Sequence, residues 1–198
     1  FRAMDVAMAP AFVGRVSFTG DLGYEIWMKP EYQRQIFDHI LAEGANLDIK
    51  PFGLRALNAM RLEKNFGGWA REFRPIYGPV EADLGRFIAY EKPDFIGKAG
   101  ALAERDGGGT LRLMSFVVDA IDADVIGDEP ISLNDDVVGW VTSGGYAHHS
   151  GLSLAMGYVP KALADHDGPW AIEILGHRRT ARPQRVALFD ANAERMRG

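Results

Sequence analysis

The sequence predicts an α+β chain in which an antiparallel sheet with helices occupies residues 1–106 and an all-β region follows over residues 107–198. Helical and strand patterns are mixed before Gly107-Gly-Gly109, and short strands bounded by turn residues recur after it. No internal repeat or low-complexity stretch interrupts either region. The triple glycine is therefore the expected boundary.

Each element follows from its own pattern. Arg15 to Thr19 alternates polar and apolar residues, Gly20-Asp-Leu-Gly23 supplies turn chemistry, and Tyr24 to Met28 alternates again, which predicts a hairpin. Alternation puts Tyr24, Ile26 and Met28 on one face, with Glu25 and Trp27 on the other. Pro30 to Glu43 places Tyr32, Ile36, Phe37, Ile40 and Leu41 on one helical stripe, with Pro30 in the first turn and Gly44 as the stop. Pro51-Phe-Gly53 then breaks the chain. Leu54 to Lys64 predicts a second helix, with Leu54, Leu57 and Met60 spaced for burial and Arg55 and Arg61 near its edges. Gly67-Gly68 ends it, and a strand at Leu84 to Tyr90 and a short helix at Lys98 to Arg105 complete the first region.

In the second region, strands are expected at Leu111 to Asp119, at Ile131 to Leu133 and Val137 to Thr142 around the turn Asn134-Asp-Asp136, and at Ser153 to Tyr158. Ser143-Gly-Gly-Tyr146 reads as a turn in which paired glycines permit positive φ. Trp170 to Leu175 and Arg178 to Arg182 are joined across Gly176-His177. This spacing fits a small sandwich or a barrel.

Composition narrows the function. With 198 residues, 47% of them hydrophobic, the chain can bury the core of one large or two small domains. A net charge of −5 argues against nucleic acid as the partner, and the basic run Arg178, Arg179, Arg182, Arg185 reads as a solvated strand edge. The absence of cysteine removes disulfides, thiolate metal sites and cysteine nucleophiles. No apolar run approaches the roughly 18 residues of a membrane span, so no membrane partner and a cytoplasmic location are expected. Phe1 is not a natural start, so the N-terminus is expected to be a cut end.

Standard chemistries are absent. There is no phosphate-binding G-x-x-x-x-G-K-[ST], no G-x-G-x-x-G and no G-x-S-x-G. The five histidines lack metal-ligand spacing; His148-His149, if on a strand, would point to opposite faces, so no metal site is expected. Tyr146 stays as a secondary ligand contact. Glu25 has two readings. It is a solvated charge on an open strand, or a carboxylate beside aromatics that accepts paired N–H donors from a flat heterocycle.

Longer blocks bear on that choice. Arg15-Val-Ser-Phe-Thr-Gly-Asp-Leu-Gly-Tyr-Glu-Ile26 resembles the R-x-[ST]-[FY]-[TV]-G-[DE]-x-G-[YFW]-E signature of the glycine cleavage T-protein (aminomethyltransferase) family. Pro51 to Lys64, Gly68-Trp69, Arg71-Glu72, Asp94 to Lys98, Gly139 to Tyr146, Ala155 to Pro160 and Glu194 to Gly198 resemble, in order, the family branch fused to dimethylglycine and sarcosine dehydrogenases. The resemblance implies the C-terminal part of the family fold: a ferredoxin-like half followed by a C-terminal β-barrel. It implies tetrahydrofolate as cofactor, FAD only in an upstream domain where one is fused, and a small N-methyl amine substrate met through that domain.

Site residues are implied in the same way. Glu25 matches the carboxylate that holds the pterin N–H edge, with Tyr24 as a wall of the pocket. Phe18 stands where relatives often carry a tyrosine, so it can stack but not donate a hydrogen bond. Leu57 stands where stand-alone aminomethyltransferases place a folate-facing arginine. Arg61 is the compensating cation, or else a helix-capping residue or an ion-pair partner of Glu63 or a sheet residue. The family's catalytic aspartate belongs to the N-terminal half, so no catalytic residue is assigned and the chain alone is expected to be inactive. The alternative is a non-catalytic module that keeps the fold for folate binding or for structural contacts.

Overall fold

The computed structural model describes residues 1–198. Strands β1 (Arg2–Val6), β2 (Ala9–Gly14) and β3 (Glu25–Met28) form a three-stranded antiparallel sheet in the order β1-β2-β3. Residues Ala7 and Met8 both take positive φ, which closes the β1–β2 hairpin tightly. The register pairs Gly14 with Glu25 and Ala11 with Met28.

The partner of the Glu25 strand is thus Ala9–Gly14, and the expected strand over Arg15 to Thr19 is a loop. Local bonds replace the ladder there: the Gly20 N–H donates to Ser17 Oγ at 3.1 Å. Small residues explain why β2 was hidden. Ala9 and Ala11 are buried, as is Ile36 of helix α1 (Gln33–Glu43), which follows a 3-10 turn at Pro30–Tyr32 and ends where the Gly44 N–H bonds Ile40 O.

Helix α2 (Leu54–Glu63) has the expected span and a different buried face. Leu54 is exposed, whereas Ala59, Arg61, Leu62 and Glu63 are buried. Leu62 packs with Val117, Leu154 and Met156 on the barrel, so the barrel decides which side of the helix is covered. The expected strand at Leu84 to Tyr90 is instead a 3-10 turn at Gly85–Phe87 within coil; the Leu84 N–H bonds back to Pro79 O, leaving no ladder to join. Helix α3 (Lys98–Gly107) lies between Gly97 and Gly108, both at positive φ.

Strands β4 (Leu111–Val118), β5 (Pro130–Leu133), β6 (Asp136–Ala147), β7 (Leu152–Pro160), β8 (Trp170–Ile174) and β9 (His177–Pro183) close a barrel in the order β4-β7-β6-β5-β8-β9. Closure comes from β9 returning to β4, with Val117 opposite Arg182. Phe116, Ile131, Val141, Ala155, Trp170 and Ile172 belong to its core, the Phe116 and Trp170 rings 5.5 Å apart.

Three local expectations are corrected. Ser143 to Tyr146 runs inside β6 after a register shift, not through a turn, and Gly144 is needed because a Cβ there would meet Val125 at 2.5 Å. The β8–β9 turn is Leu175-Gly176, both at positive φ, one residue earlier than the sequence suggests. The basic run is not a free edge: Arg178, Arg179 and Arg185 reach Asp135, Asp122 and Asp165 at 2.7, 2.9 and 2.9 Å.

Candidate functional site: a cleft at the seam of sheet and barrel

A cleft of about 870 Å³ opens where the loop after β2 and the segment after α2 meet the barrel. Its apolar lining comes from Phe18 on the loop, Phe66 after α2, Phe73, Leu84 and Phe87 in the coil, Leu113 and Met114 on β4, and Met156 on β7. The Phe18 and Phe66 rings lie nearly parallel, 6.5 Å between centroids and 14° between planes. Arg15, Arg86, Arg112, Lys161 and Arg185 stand around it with Asp83 and Asp165. Arg86 pairs with Asp83 and Arg185 with Asp165 at 3.3 and 2.9 Å, while Arg112 and Lys161 have no acidic partner.

The C-terminal tail holds the Phe18 loop in place. Arg15 donates to the carbonyls of Met196 and Arg197, and Arg195 Nε reaches Asp21 Oδ1 at 2.5 Å. The tail is itself anchored to α2: the Phe189 N–H bonds Glu63 O, and Lys64 Nζ lies 2.9 Å from Asp190 Oδ2 with both side chains buried. Lys64 holds the Asp190 carboxyl below the usual range; burial opposes this and the Glu194 N–H adds to it. On the other side, Glu81 accepts the N–H groups of Thr110 and Leu111 at 2.7 and 2.9 Å. Burial pushes that carboxyl up, yet the N–H donors outweigh it and hold it below its ordinary value.

Behind the cleft lies a buried charged pair. Arg61 Nη1 is 3.0 Å from Glu72 Oε2, and the Glu72 side chain is wholly enclosed. Glu72 also accepts from the Gly68 N–H and from the Thr142 and Ser143 hydroxyls at 2.6, 2.5 and 2.5 Å. Burial lowers the Arg61 pKa and Glu72 partly restores it. The Tyr158 hydroxyl donates to Glu72 O at 2.7 Å, and its ring stacks on Tyr77 at 3.8 Å. Burial drives the Tyr158 pKa upward, with Tyr77 and Glu72 adding to the shift, which keeps it a donor.

The structure brings Phe18 into the cleft and leaves the other sequence-derived residues outside its lining. Glu25 begins β3 opposite Gly14 and is exposed, and Tyr24 beside it is exposed as well. Trp27 shares the Glu25 face, with the Phe1 ring 4.3 Å away. Tyr146 sits on β6 with its ring edge-on to His148 in the following turn. Arg61 pairs with Glu72, whereas Glu63 accepts the Ser150 N–H at 2.8 Å. Sequence reasoning missed Phe66, Met156 and Glu72. The Arg71-Glu72 block contained the last of these, but nothing in its pattern marks a glutamate as buried. No cluster of His, Asp and Glu capable of holding a metal ion is present, and no helix is long and apolar enough to cross a membrane.

A sheet with helices joined to a closed barrel across such a cleft defines an aminomethyltransferase-like architecture. Residues 1–92 match the family model for the GCVT N-terminal domain, and residues 112–190 match that for the glycine cleavage T-protein C-terminal barrel domain. The chain belongs to the glycine cleavage T-protein family. It is similar to mitochondrial dimethylglycine dehydrogenase of Mus musculus, 36% identical over 88% of this chain and 20% of that protein. It is also similar to the 4-methylaminobutanoate oxidase (formaldehyde-forming) of Paenarthrobacter nicotinovorans, 30% identical over the whole chain and 24% of the relative. An aminomethyltransferase of Desulfitobacterium hafniense is 28% identical over 83% of this chain and 45% of its own length. The fold is shared with the crystal structure of glycine cleavage system aminomethyltransferase T from Bartonella henselae: TM-score 0.81 and 22% identity, covering 91% of this chain and 50% of that one. The chain thus spans about a fifth of the dehydrogenase and under half of the aminomethyltransferase.

Proposed function

We propose that this chain is the C-terminal part of a tetrahydrofolate-dependent, aminomethyltransferase-like module, of the kind that serves dimethylglycine or sarcosine dehydrogenases. The observation that carries the proposal is the cleft: parallel aromatic faces at Phe18 and Phe66 suit a flat heterocycle, and the unpaired cations Arg112 and Lys161 suit an anionic tail. When bound, reduced folate takes the CH2 carbon of an iminium onto two of its nitrogens, releasing the demethylated amine and a proton and leaving 5,10-methylenetetrahydrofolate.

The chain's own part in this is binding. Glu25, exposed at the start of β3, is the carboxylate for the paired N–H edge of the pterin, with Trp27 on its face of the strand and Tyr24 on the other as a further wall. Phe18 packs on the ring. Tyr146 is a secondary contact, and the boundary between the folate-binding region and the barrel lies near residue 107. No catalytic residue falls on this chain, and a flavin, where fused, belongs to another domain that meets the N-methyl amine. The two regions are non-catalytic by themselves.

Calorimetry of the full-length protein with tetrahydrofolate tests this. Glu25→Ala is expected to weaken binding roughly ten- to a hundredfold, the worth of hydrogen bonds to a charged acceptor. Undiminished affinity in Glu25→Ala, or none in the wild type, refutes the proposal. A second reading has one observation behind it: a relative is named as formaldehyde-forming. On that reading the module binds folate without capturing the carbon. Free formaldehyde at full yield, despite saturating tetrahydrofolate, would favour it.

A further inference from the structure

We infer that Arg61 and Glu72 are positioning residues for the cleft: the pair fixes the back wall on which the ligand ring rests, without touching the ligand. The inference rests on the folate reading above and goes beyond it by assigning a role to the buried pair. Arg61 Nη1 contacts three groups at once, Phe66 O at 3.0 Å, Glu72 Oε2 at 3.0 Å and Met156 Sδ at 3.6 Å. Phe66 and Met156 both line the cleft, one from the coil after α2 and the other from the barrel.

The rest of the guanidinium is committed too. Nε and Nη2 both donate to Asn58 Oδ1, at 2.9 and 2.7 Å, and Asn58 Nδ2 donates to Gly144 O of β6 at 3.0 Å. Arg61 therefore faces the protein on every side and has no direction in which to meet a ligand. Glu72 is equally occupied, with Thr142, Ser143 and the Gly68 N–H around it. Its enclosure rules out exchange with solvent or substrate.

Stability alone is a poor reason to keep such a pair, because apolar residues of similar volume in its place are often neutral or better. Direction is the better reason. Apolar surfaces in contact can slide, whereas a planar fork with fixed donor angles sets one register between helix, coil and barrel. That register places the Phe66 ring opposite Phe18, 6.5 Å between centroids. A wall that is loose by a fraction of an ångström degrades the site without unfolding anything.

The test measures tetrahydrofolate affinity by calorimetry and thermal melting on the full-length protein for the wild type, Arg61→Lys and the double variant Arg61→Met/Glu72→Met. The double variant is expected to keep a cooperative melt within a few degrees of wild type and to bind roughly tenfold more weakly. Arg61→Lys keeps the charge but cannot span Asn58, Phe66 and Glu72 together, so it too should fold and bind more weakly. Folded variants with wild-type affinity overturn the positioning role and leave the folate reading standing. A wild type that binds no tetrahydrofolate overturns the folate reading first, and this role with it. Loss of cooperative melting in both variants assigns the pair to folding alone and also overturns the inference.

Discussion

In the barrel, every strand from β4 to β9 has two neighbours, and Phe116, Ile131 and Trp170 are buried in its interior. In the three-stranded sheet, β1 and β3 are the edge strands. One face carries the buried Ala9 and Ala11, while the other shows Phe1, Phe12 and Trp27 at 75%, 59% and 46% exposure. The same antiparallel pairing has produced opposite outcomes. A sheet that closes on itself encloses its own apolar side chains, whereas an open one needs cover on each face. The seam between the two regions combines Leu62 packed on Val117, Leu154 and Met156 with polar links from Glu72 to Thr142 and Ser143 and from Lys64 to Asp190, and the cleft lies along it.

Substitutions can break or sharpen this contrast. The largest effect is expected in the barrel interior: Trp170→Ala should cost about 3–5 kcal/mol in a denaturant melt, by lost burial and the cavity left behind. If Trp27→Ala on the open sheet cost as much, the contrast would fail. Next comes the seam. Glu72→Ala leaves the buried Arg61 uncompensated and should cost about 3 kcal/mol or more. A change below about 1 kcal/mol would show that water or another acid replaces the partner.

Acid titration probes the second seam pair. The folded Asp190 carboxyl is held below its usual value, so its contribution is complete above the unfolded pKa of about 4 and is lost as pH falls through the lower folded value. Asp190→Asn should flatten the acid limb of the melting-temperature curve within that window. Identical limbs in variant and wild type would remove Asp190 from the acid response. The smallest effect belongs to the open face, where Phe12→Ser should move stability by less than about 0.5 kcal/mol.

Legibility followed the type of signal. The strands of the barrel and helices α1 to α3 were readable because their apolar periods and glycine stops are local. Strand β2 was not: Ala-Pro-Ala-Phe-Val-Gly has little β propensity, and it is a strand because β1 and β3 hold it on either side. Leu84 to Tyr90 failed in the opposite direction, with strand-like composition and no partner strand. Phe18, singled out by its place in the signature, lines the cleft, whereas Phe66 and Met156 enter it from segments far apart in the chain.

By itself, then, the sequence determined the family, the passage from mixed α and β elements to strands alone, and most strands after residue 110, because each rests on residue order or local period. Tertiary structure alone decided that the barrel closes by β9 returning to β4, that α2 turns Arg61 and Leu62 inward, and that Glu72 is buried. Those outcomes depend on which surfaces meet. A charged side chain is enclosed only when partners from other elements satisfy every donor and acceptor, and no local pattern records where those partners come from.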